Sequence, residues 1–239
     1  MGLCGLELTT YLLFMCTMYS HRRAPEEIRG LVKYISQLPF APRQYVTPGS
    51  PLMIIRSNIQ GLPELALVRW GFVPSWAKEI PPGRPLVNAR AETVYQKASF
   101  KNAVRRRRCL VLADGFYEWS GDVPGQKQAW YVHRPDGALF AMGGIWEHWQ
   151  APDGSELETA AVLTAEPTMP VAAIHDRSPV LIQPADFEEW LSPQEEQVQH
   201  LLKPPPDDYW TMEKTTIARP KKLEVPVAPP APKPQMDLL

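Results

Sequence analysis

Short strand-like runs separated by turns are the feature that most constrains the fold of this chain. Seven runs rich in β-branched and aromatic residues are divided by clusters of Pro, Gly, Asp and Ser. Because strands outnumber helices and rarely alternate with them, the pattern predicts an α+β fold with a mainly antiparallel sheet, rather than a doubly wound fold. The predicted strands are Leu52–Arg56, Leu65–Trp70, Cys109–Ala113, Ala129–Arg134, Ala138–Trp146, Ala160–Thr164 and Val180–Ile182.

A few helices are predicted to flank the sheet. Pro25–Ser36 begins with a proline, which suits the first helical position, and its apolar residues recur at helical spacing. Further helices are predicted over Tyr95–Arg106, Pro184–Leu191 and Pro193–Leu202.

The composition indicates one globular domain with a proline-rich end. The hydrophobic fraction of 44% excludes wholesale disorder, and no apolar run approaches the roughly 20 residues that cross a membrane. Nine prolines fall in the last 37 residues. We therefore predict an N-terminal extension over residues 1–15, a folded domain over 16–212 and a disordered tail over 213–239.

Charge is unevenly distributed along the chain. The whole chain carries a net charge of -1, but residues 1–108 hold 16 basic and 6 acidic side chains, whereas residues 109–239 hold 9 and 20. An overtly basic nucleic-acid binder is excluded by the total. The basic first half can nevertheless contact a polyanion.

Three cysteines, Cys4, Cys16 and Cys109, are too few and too irregular for a disulfide framework. This usage favours a reducing cytosol. No Cys-x-x-Cys pair or His/Cys cluster indicates a metal, so neither a metal nor another cofactor is predicted.

Four segments place polar side chains against apolar strands. Each key residue has a plain alternative: a buried small apolar thiol, a turn or cap amide, an edge-strand surface carboxylate and a turn histidine. Together they offer a thiol, an amide, a carboxylate and an imidazole, which suit a cysteine nucleophile with acid and base support. The segments are Met15–Ser20 with Cys16, Val87–Thr93 with Asn88, Leu112–Trp119 with Glu118, and Ala173–Val180 with His175.

These four segments, in this order, resemble the SRAP family of SOS-response-associated peptidases or abasic-site processing proteins. Trp70-Gly71-Phe72-Val73-Pro74-Ser75-Trp76 supplies a fifth family motif, and the match runs from Met15 to about Leu191. The resemblance implies a barrel-like fold and a monomer that binds single-stranded DNA carrying an abasic site. It also implies a covalent thiazolidine crosslink through an N-terminal cysteine, in the bacterial cytosol and on the nucleoid after damage.

The resemblance implies a role for each catalytic candidate. Cys16 is the expected nucleophile, and Asn88 is expected to hold it or the sugar by hydrogen bonds. Glu118 is expected to transfer protons at the amine and thiol. His175 is expected to act on the sugar oxygen as the ring opens.

The same resemblance implies a DNA-binding set. Arg90 and Arg177 are expected to contact phosphates, because the guanidinium fork fits them. Trp70 and Trp76 are expected to stack on or wedge beside unpaired bases, with a core position as the alternative for both and an equally strong one for Trp76. The remaining expected DNA contacts are Pro48, Thr164, Arg105 and Arg106, the last two from the run Arg105–Arg108, whose alternative is a solvated helix end.

The position of Cys16 departs from the family pattern, in which the cysteine is residue 2. Fourteen additional residues precede Cys16 here. Translation from Met15, or self-cleavage between Met15 and Cys16, gives Cys16 the free amine that a thiazolidine needs. A cysteine peptidase and a non-covalent single-strand binding module remain as alternatives.

Overall fold

The computed structural model describes residues 17–35, 41–83, 85–121, 123, 126–194 and 197–217. Cys16 and the predicted extension over residues 1–15 lie outside these residues, as do residues 218–239 of the predicted tail. Within the described part of the chain, no helix has the length and apolar character that crossing a membrane requires.

The strands form two sheets. The first sheet contains β1 Tyr19–His21, β2 Arg43–Val46, β7 Gly115–Ser120, β8 Gln128–His133 and β13 Thr211–Thr215, in the order β13-β8-β7-β1-β2. The second contains β3 Pro51–Ser57, β4 Pro63–Trp70, β5 Asn88–Arg90, β6 Arg108–Ala113, β9 Phe140–Gln150, β10 Glu156–Ala165, β11 Ser178–Pro179 and β12 Leu181–Ile182.

The second sheet closes on itself. Strand β10 pairs with β4 on one side and with β9 on the other, so the ring β10-β4-β3-β6-β9 is complete. Among the strands of the described residues, only the pairings of β10 with β4 and β5 are parallel. The predicted α+β class with a mainly antiparallel, barrel-like sheet is therefore confirmed.

Alternating side chains of the barrel strands build two hydrophobic clusters, because successive residues of a strand point to opposite faces. Leu52 and Val111 pack in one cluster with Tyr19 and Phe116 of the five-stranded sheet. The neighbouring strand residues Met53, Leu110 and Leu112 point to the other face. They pack in the second cluster with the helical residues Ile28, Val104 and Trp190. The first cluster therefore joins the two sheets.

The helices are shorter than predicted. They are α1 Pro25–Leu31, α2 Lys101–Arg106 and α3 Phe187–Leu191. Helix α1 ends because Val32 is extended, and the amide of Ile35 donates instead to the carbonyl of Pro63, 3.1 Å away. In the described part of the predicted helix over residues 193–202, the chain forms only a 3-10 turn at Gln199–Leu201.

The last described strand corrects the predicted domain boundary at residue 212. Strand β13 pairs antiparallel with β8, from Thr211 opposite His133 to Thr215 opposite Ala129. The boundary between residues 212 and 213 falls inside this strand, so the folded domain extends at least to Thr215.

Candidate functional site

A buried histidine–glutamate pair marks the candidate site. The Nε2 atom of His175 lies 3.7 Å from Oε2 of Glu118, and each side chain is 1% exposed. Glu118 lies on β7, which is flanked by β1 and β8, so the alternative of an edge-strand surface residue is wrong. Two ionisable groups buried together in this way are typical of a functional site.

Backbone contacts fix the orientation of the His175 ring. The residue follows a 3-10 turn at Val171–Ala173, and its amide donates to the carbonyl of Val171 at 3.0 Å. The amide of Arg177 donates to Nδ1 of His175 at 3.0 Å. Because Nδ1 accepts this bond, we assign the proton of the neutral ring to Nε2, the atom that faces Glu118.

Strand β1 leads directly to this pair. Tyr19 is opposite Phe116, and the amide of Tyr117 donates to the carbonyl of Met18 at 2.9 Å. Continuing this antiparallel register places Thr17 beside Glu118. Thr17 follows Cys16 in the sequence, and Cys16 itself lies outside the described residues.

A buried carboxylate anchors β1. Asp114 accepts hydrogen bonds from the hydroxyl of Ser20, from the amide of Arg22 at 2.5 Å and from the Tyr131 hydroxyl at 2.9 Å. The guanidinium of Arg22 adds an ion pair of 2.9 Å. Burial raises the pKa of Asp114, but these donors outweigh it and hold the pKa below its usual value. Sequence analysis assigned no separate role to Asp114, because no local pattern links it to Tyr131.

The glycine that follows Asp114 makes this arrangement possible. A Cβ atom on Gly115 would collide with the ring of Tyr131, which lies across the strand. Glycine therefore allows the Tyr131 hydroxyl to reach both Asp114 and Ser20.

We expect Asp114→Asn to reduce the free energy of unfolding at pH 7 by about 1.5–3 kcal/mol, because a charged acceptor of several bonds is lost. The folded-state pKa of Asp114 is depressed. Its contribution to the free energy of unfolding is therefore fully present above the unfolded pKa of about 3.9 and is lost as the pH falls through the folded-state pKa. Urea denaturation between pH 7 and pH 2 measures both effects.

The control for this prediction is Asp153→Asn, because Asp153 is exposed and bonds only within its own turn, to Ser155. A loss of stability in Asp114→Asn that is no larger than in this control would contradict the anchoring role.

Asn88 reaches the same region from the barrel. It lies opposite Val162 where β5 runs parallel to β10, and its side-chain oxygen is buried. Two residues further along β10, Thr164 is flanked by Arg90 and by Pro179, which follows the His175 loop. The structure thus brings the Asn88 strand and the His175 loop to one end of β10.

Arg177 is a structural residue, which corrects its predicted phosphate contact. It is 7% exposed, and its two terminal nitrogens bind Glu92 at 2.8 and 2.7 Å. One of them also donates to the carbonyl of Thr164 at 2.6 Å. The hydrogen bonds of Arg177 lower the pKa of Glu92. Thr164 is itself fully buried, so a direct DNA contact for its side chain is also corrected.

The two tryptophans differ in exposure. Trp70 is 0% exposed, and its indole nitrogen donates to the carbonyl of Val87 at 2.9 Å. Its ring packs edge-on against Tyr19, with centroids 5.6 Å apart. The prediction that Trp70 stacks on bases is therefore wrong, whereas Trp76 is 64% exposed and its base contact stays a prediction.

The four arginines of the run over residues 105–108 differ in whether DNA can reach them. Arg108 is buried and donates to the carbonyls of Trp190 and Val104, and Arg107 pairs with Glu147 at 2.7 Å. Arg105 packs over the ring of Tyr95, 5.5 Å from its centroid. The predicted contacts that remain accessible are the exposed Arg90 and Arg106 and the partly exposed Arg105 and Pro48.

Among the described residues, no group of three or more His, Cys, Asp or Glu side chains lies close enough together to hold a metal ion. The chemistry available at the candidate site is that of the imidazole, the carboxylate and the neighbouring start of β1.

Comparisons with known proteins agree on one family. Residues 15–218 match the model of the family described as SOS response associated peptidase (SRAP). Abasic site processing protein YoqW of Bacillus subtilis (strain 168) is 34% identical over 175 residues, which cover 72% of this chain and 78% of that protein. Abasic site processing protein HMCES of Gallus gallus is 32% identical over 170 residues, covering 59% of this chain and 50% of that protein.

The fold is also similar to a solved structure. A crystal structure of a protein from Bacteroides thetaiotaomicron superposes with a TM-score of 0.75 at 23% identity, covering 84% of this chain and 92% of that one. This likeness concerns the fold alone. The family match spans most of the chain and includes all four candidate segments, so the chain belongs to the SRAP family.

Proposed function

We propose that this protein binds single-stranded DNA at an abasic site and joins to it covalently through Cys16. The observation that carries the proposal is the buried pair of His175 and Glu118, 3.7 Å apart, beside the start of β1. Support comes from the relatives YoqW and HMCES, which are named abasic site processing proteins.

The proposed reaction uses both the amine and the thiol of an N-terminal cysteine. The neutral α-amine of Cys16 attacks the aldehyde carbon of the ring-opened sugar, and loss of water gives a Schiff base. The thiol sulfur then adds to the carbon of this imine, and its proton passes to the nitrogen, which closes a thiazolidine. An α-amine has a pKa of about 7.7–8.0, so a useful fraction is neutral near pH 7. No oxidant or reductant is required.

Glu118 and His175 divide the proton transfers in this proposal. The carboxylate of Glu118 takes a proton from the amine and thiol and returns it to the departing water. The Nε2–H of His175 donates to the ring oxygen of the sugar as the ring opens. Asn88 holds the cysteine or the sugar through its amide. General acid and base groups of this kind contribute roughly 10²–10⁴-fold each.

The DNA strand is proposed to lie across the exposed basic residues Arg90 and Arg106, with Arg105 and Pro48 at its border. Trp76 offers an exposed ring on which an unpaired base stacks. The affinity then falls with salt, because each neutralised phosphate releases counterions. In this proposal the protein is a monomer that acts on damaged DNA of the bacterial nucleoid in the cytosol.

The peptidase in the family description motivates a second candidate activity. The chain carries Met15 before Cys16, and we propose that the site itself cleaves this bond in a chain begun at Met1. The thiol of Cys16 attacks the carbonyl carbon of Met15, and the peptide C–N bond breaks as the nitrogen takes up a proton. Water then hydrolyses the resulting thioester, with Glu118 and His175 as proton carriers, and releases the residues up to Met15 as a carboxylate. Cleavage supplies the free amine that the crosslink requires.

The test compares chains expressed from Met1 and from Met15. The intact mass of each protein identifies its first residue, and each is mixed with an oligonucleotide that carries one abasic site. We expect a covalent adduct, stable to denaturing electrophoresis, from every preparation whose mass shows Cys16 at the terminus. Absence of an adduct from a folded protein that begins at Cys16 would overturn the crosslinking proposal.

Arg90 and Arg177 are expected to respond differently to substitution. Arg90→Gln should weaken DNA binding and reduce the slope of log affinity against log salt by roughly one, because one phosphate contact is lost. Arg177→Lys should leave that slope unchanged but lower the melting temperature, since lysine cannot reproduce the fork on Glu92. Fluorescence anisotropy at several salt concentrations and thermal melts provide both measurements. A reduced slope for Arg177→Lys would restore its predicted phosphate contact.

A further inference from the structure

Three side chains form a row that leads outward from Glu118. Trp130 of β8 lies directly opposite Glu118 of β7, and Lys214 of β13 lies directly opposite Trp130. Residues directly opposite each other in antiparallel strands project from the same face of the sheet. Since neighbouring strands lie about 4.8 Å apart, the backbone of Lys214 is about 10 Å from that of Glu118.

Exposure rises along this row. Glu118 is buried, Trp130 is partly exposed and Lys214 is exposed. The next pair on the same face of these two strands is Phe116 and Val132, and both of these residues are fully buried in the core. The row of Glu118, Trp130 and Lys214 therefore lies at the rim of the five-stranded sheet and connects solvent to the buried pair.

Specific contacts hold the indole of Trp130 in place. Its nitrogen donates to the hydroxyl of Ser120 at 2.8 Å, which fixes the ring at the end of β7. The ammonium of Lys214 lies 5.6 Å from the ring centroid. Among the ion pairs of the described residues, none involves Lys214, whereas its neighbour Glu213 pairs with His133 at 3.5 Å. The charge of Lys214 is thus available to an anion.

The same end of the sheet is open and carries a second cation. A groove of about 460 Å³ is lined by Trp119, Lys127 and Thr216, among others, where β8 begins and β13 ends. Lys127 is exposed. Trp119 lies opposite Ala129 and therefore projects from the other face of the sheet, so the ring of the proposed site is Trp130. An aromatic ring beside a cation, as Trp130 lies beside Lys214, is a usual element of a site for single-stranded nucleic acid.

From this arrangement we infer that Trp130 and Lys214 bind the nucleotide next to the abasic site. The base packs against the indole of Trp130, and the adjacent phosphate contacts the ammonium of Lys214. This inference rests on the proposed function, because the abasic sugar must lie at Glu118. It places on one flank of the lesion a contact made by Lys214, a residue of β13 that lies beyond the domain boundary predicted from the sequence.

The experiment measures DNA affinity and adduct formation in four variants of the full chain. Lys214→Gln removes the cation, Trp130→Leu removes the aromatic ring and Trp130→Phe keeps an aromatic ring. Lys33→Gln is the matched control, because Lys33 is an exposed lysine that follows α1. Circular dichroism confirms that each variant is folded, and Lys214→Gln, a surface change, keeps the test valid if Trp130→Leu does not fold.

We expect Trp130→Leu to bind an intact single-stranded oligonucleotide roughly tenfold more weakly and Trp130→Phe to stay close to wild type, as for other stacking positions. Lys214→Gln should reduce the salt slope by roughly one, and Lys33→Gln should leave it unchanged. Two further abasic substrates carry nucleotides on only one side of the lesion. The loss of affinity in Trp130→Leu and the loss of salt slope in Lys214→Gln should both appear with one of these substrates and be absent with the other.

The outcomes separate this inference from the proposed function. If the wild type forms the adduct but Lys214→Gln and Trp130→Leu keep its affinity and salt slope, the subsite is overturned. Equal losses on substrates trimmed from either side would also overturn it. If the wild type forms no adduct, the proposed function fails, whereas a selective loss in Lys214→Gln on the intact oligonucleotide still supports a nucleotide subsite.

Discussion

Replacement of Cys16 by alanine is expected to abolish the covalent adduct with abasic DNA, because both bonds to the sugar are made by this residue. The matched control is Cys109→Ala. Cys109 is fully buried on β6, and burial raises the pKa of its thiol, which disfavours the nucleophilic thiolate. We expect the control to form the adduct at the wild-type rate.

Denaturing electrophoresis followed by mass spectrometry of the adduct measures this prediction. The expected mass is that of protein plus oligonucleotide less one water. Non-covalent binding by Cys16→Ala should persist, since the residues proposed to contact phosphates are unchanged. An adduct of normal yield from Cys16→Ala would remove Cys16 from the mechanism, whatever the behaviour of Cys109.

The second large effect is expected at Glu118. Glu118→Gln keeps the size and polarity of the side chain but removes the proton acceptor, so the crosslinking rate should fall by about 10²–10⁴-fold. Glu147→Gln is the control, because Glu147 is also a buried glutamate but lies on β9 of the barrel, where it pairs with Arg107. That control should lose stability and retain its rate.

Single-turnover kinetics with excess protein measure the rate without a contribution from product release. If Glu118 and His175 act as a unit, the double variant with His175→Gln should be about as slow as the slower single variant, as in other catalytic groups that act together. Equal slowing by Glu118→Gln and Glu147→Gln would contradict a catalytic role and would indicate a general effect of buried charge.

Seven of the described strands could be predicted from the sequence because their pattern is local, whereas β1, β2, β5, β7, β11 and β13 were not predicted. Each predicted strand overlaps an observed one, since β-branched and aromatic residues bounded by turn residues mark half-buried extended segments. The barrel-like form was implied by the family resemblance and not by the strand pattern, because closure depends on the pairing of β10 with both β4 and β9. Helix lengths were overestimated since an apolar period continues beyond the point where Val32 turns to extended backbone.

The site was predictable as a set of residue types but not as a geometry. The motif containing Glu118 and the motif containing His175 were both identified, and the structure brings these two side chains together. The phosphate role of Arg177 and the stacking role of Trp70 were overestimated, because exposure depends on partners distant in sequence, such as Glu92 and Val87. Asp114, Tyr131 and Lys214 depend on cross-strand neighbours that no local pattern encodes.

The two members of the buried pair belong to different sheets, and this has an evolutionary consequence. Glu118 is carried by the five-stranded sheet, whereas His175 precedes β11 of the barrel, so their 3.7 Å separation reports how the two sheets are docked. Apolar residues of the joining cluster, such as Phe116 and Val111, are then selected for the position of the reactive groups as well as for stability. Substitutions in this cluster should therefore slow the reaction even where the protein still folds. Sequence change in the cluster is then limited by the reaction as well as by stability.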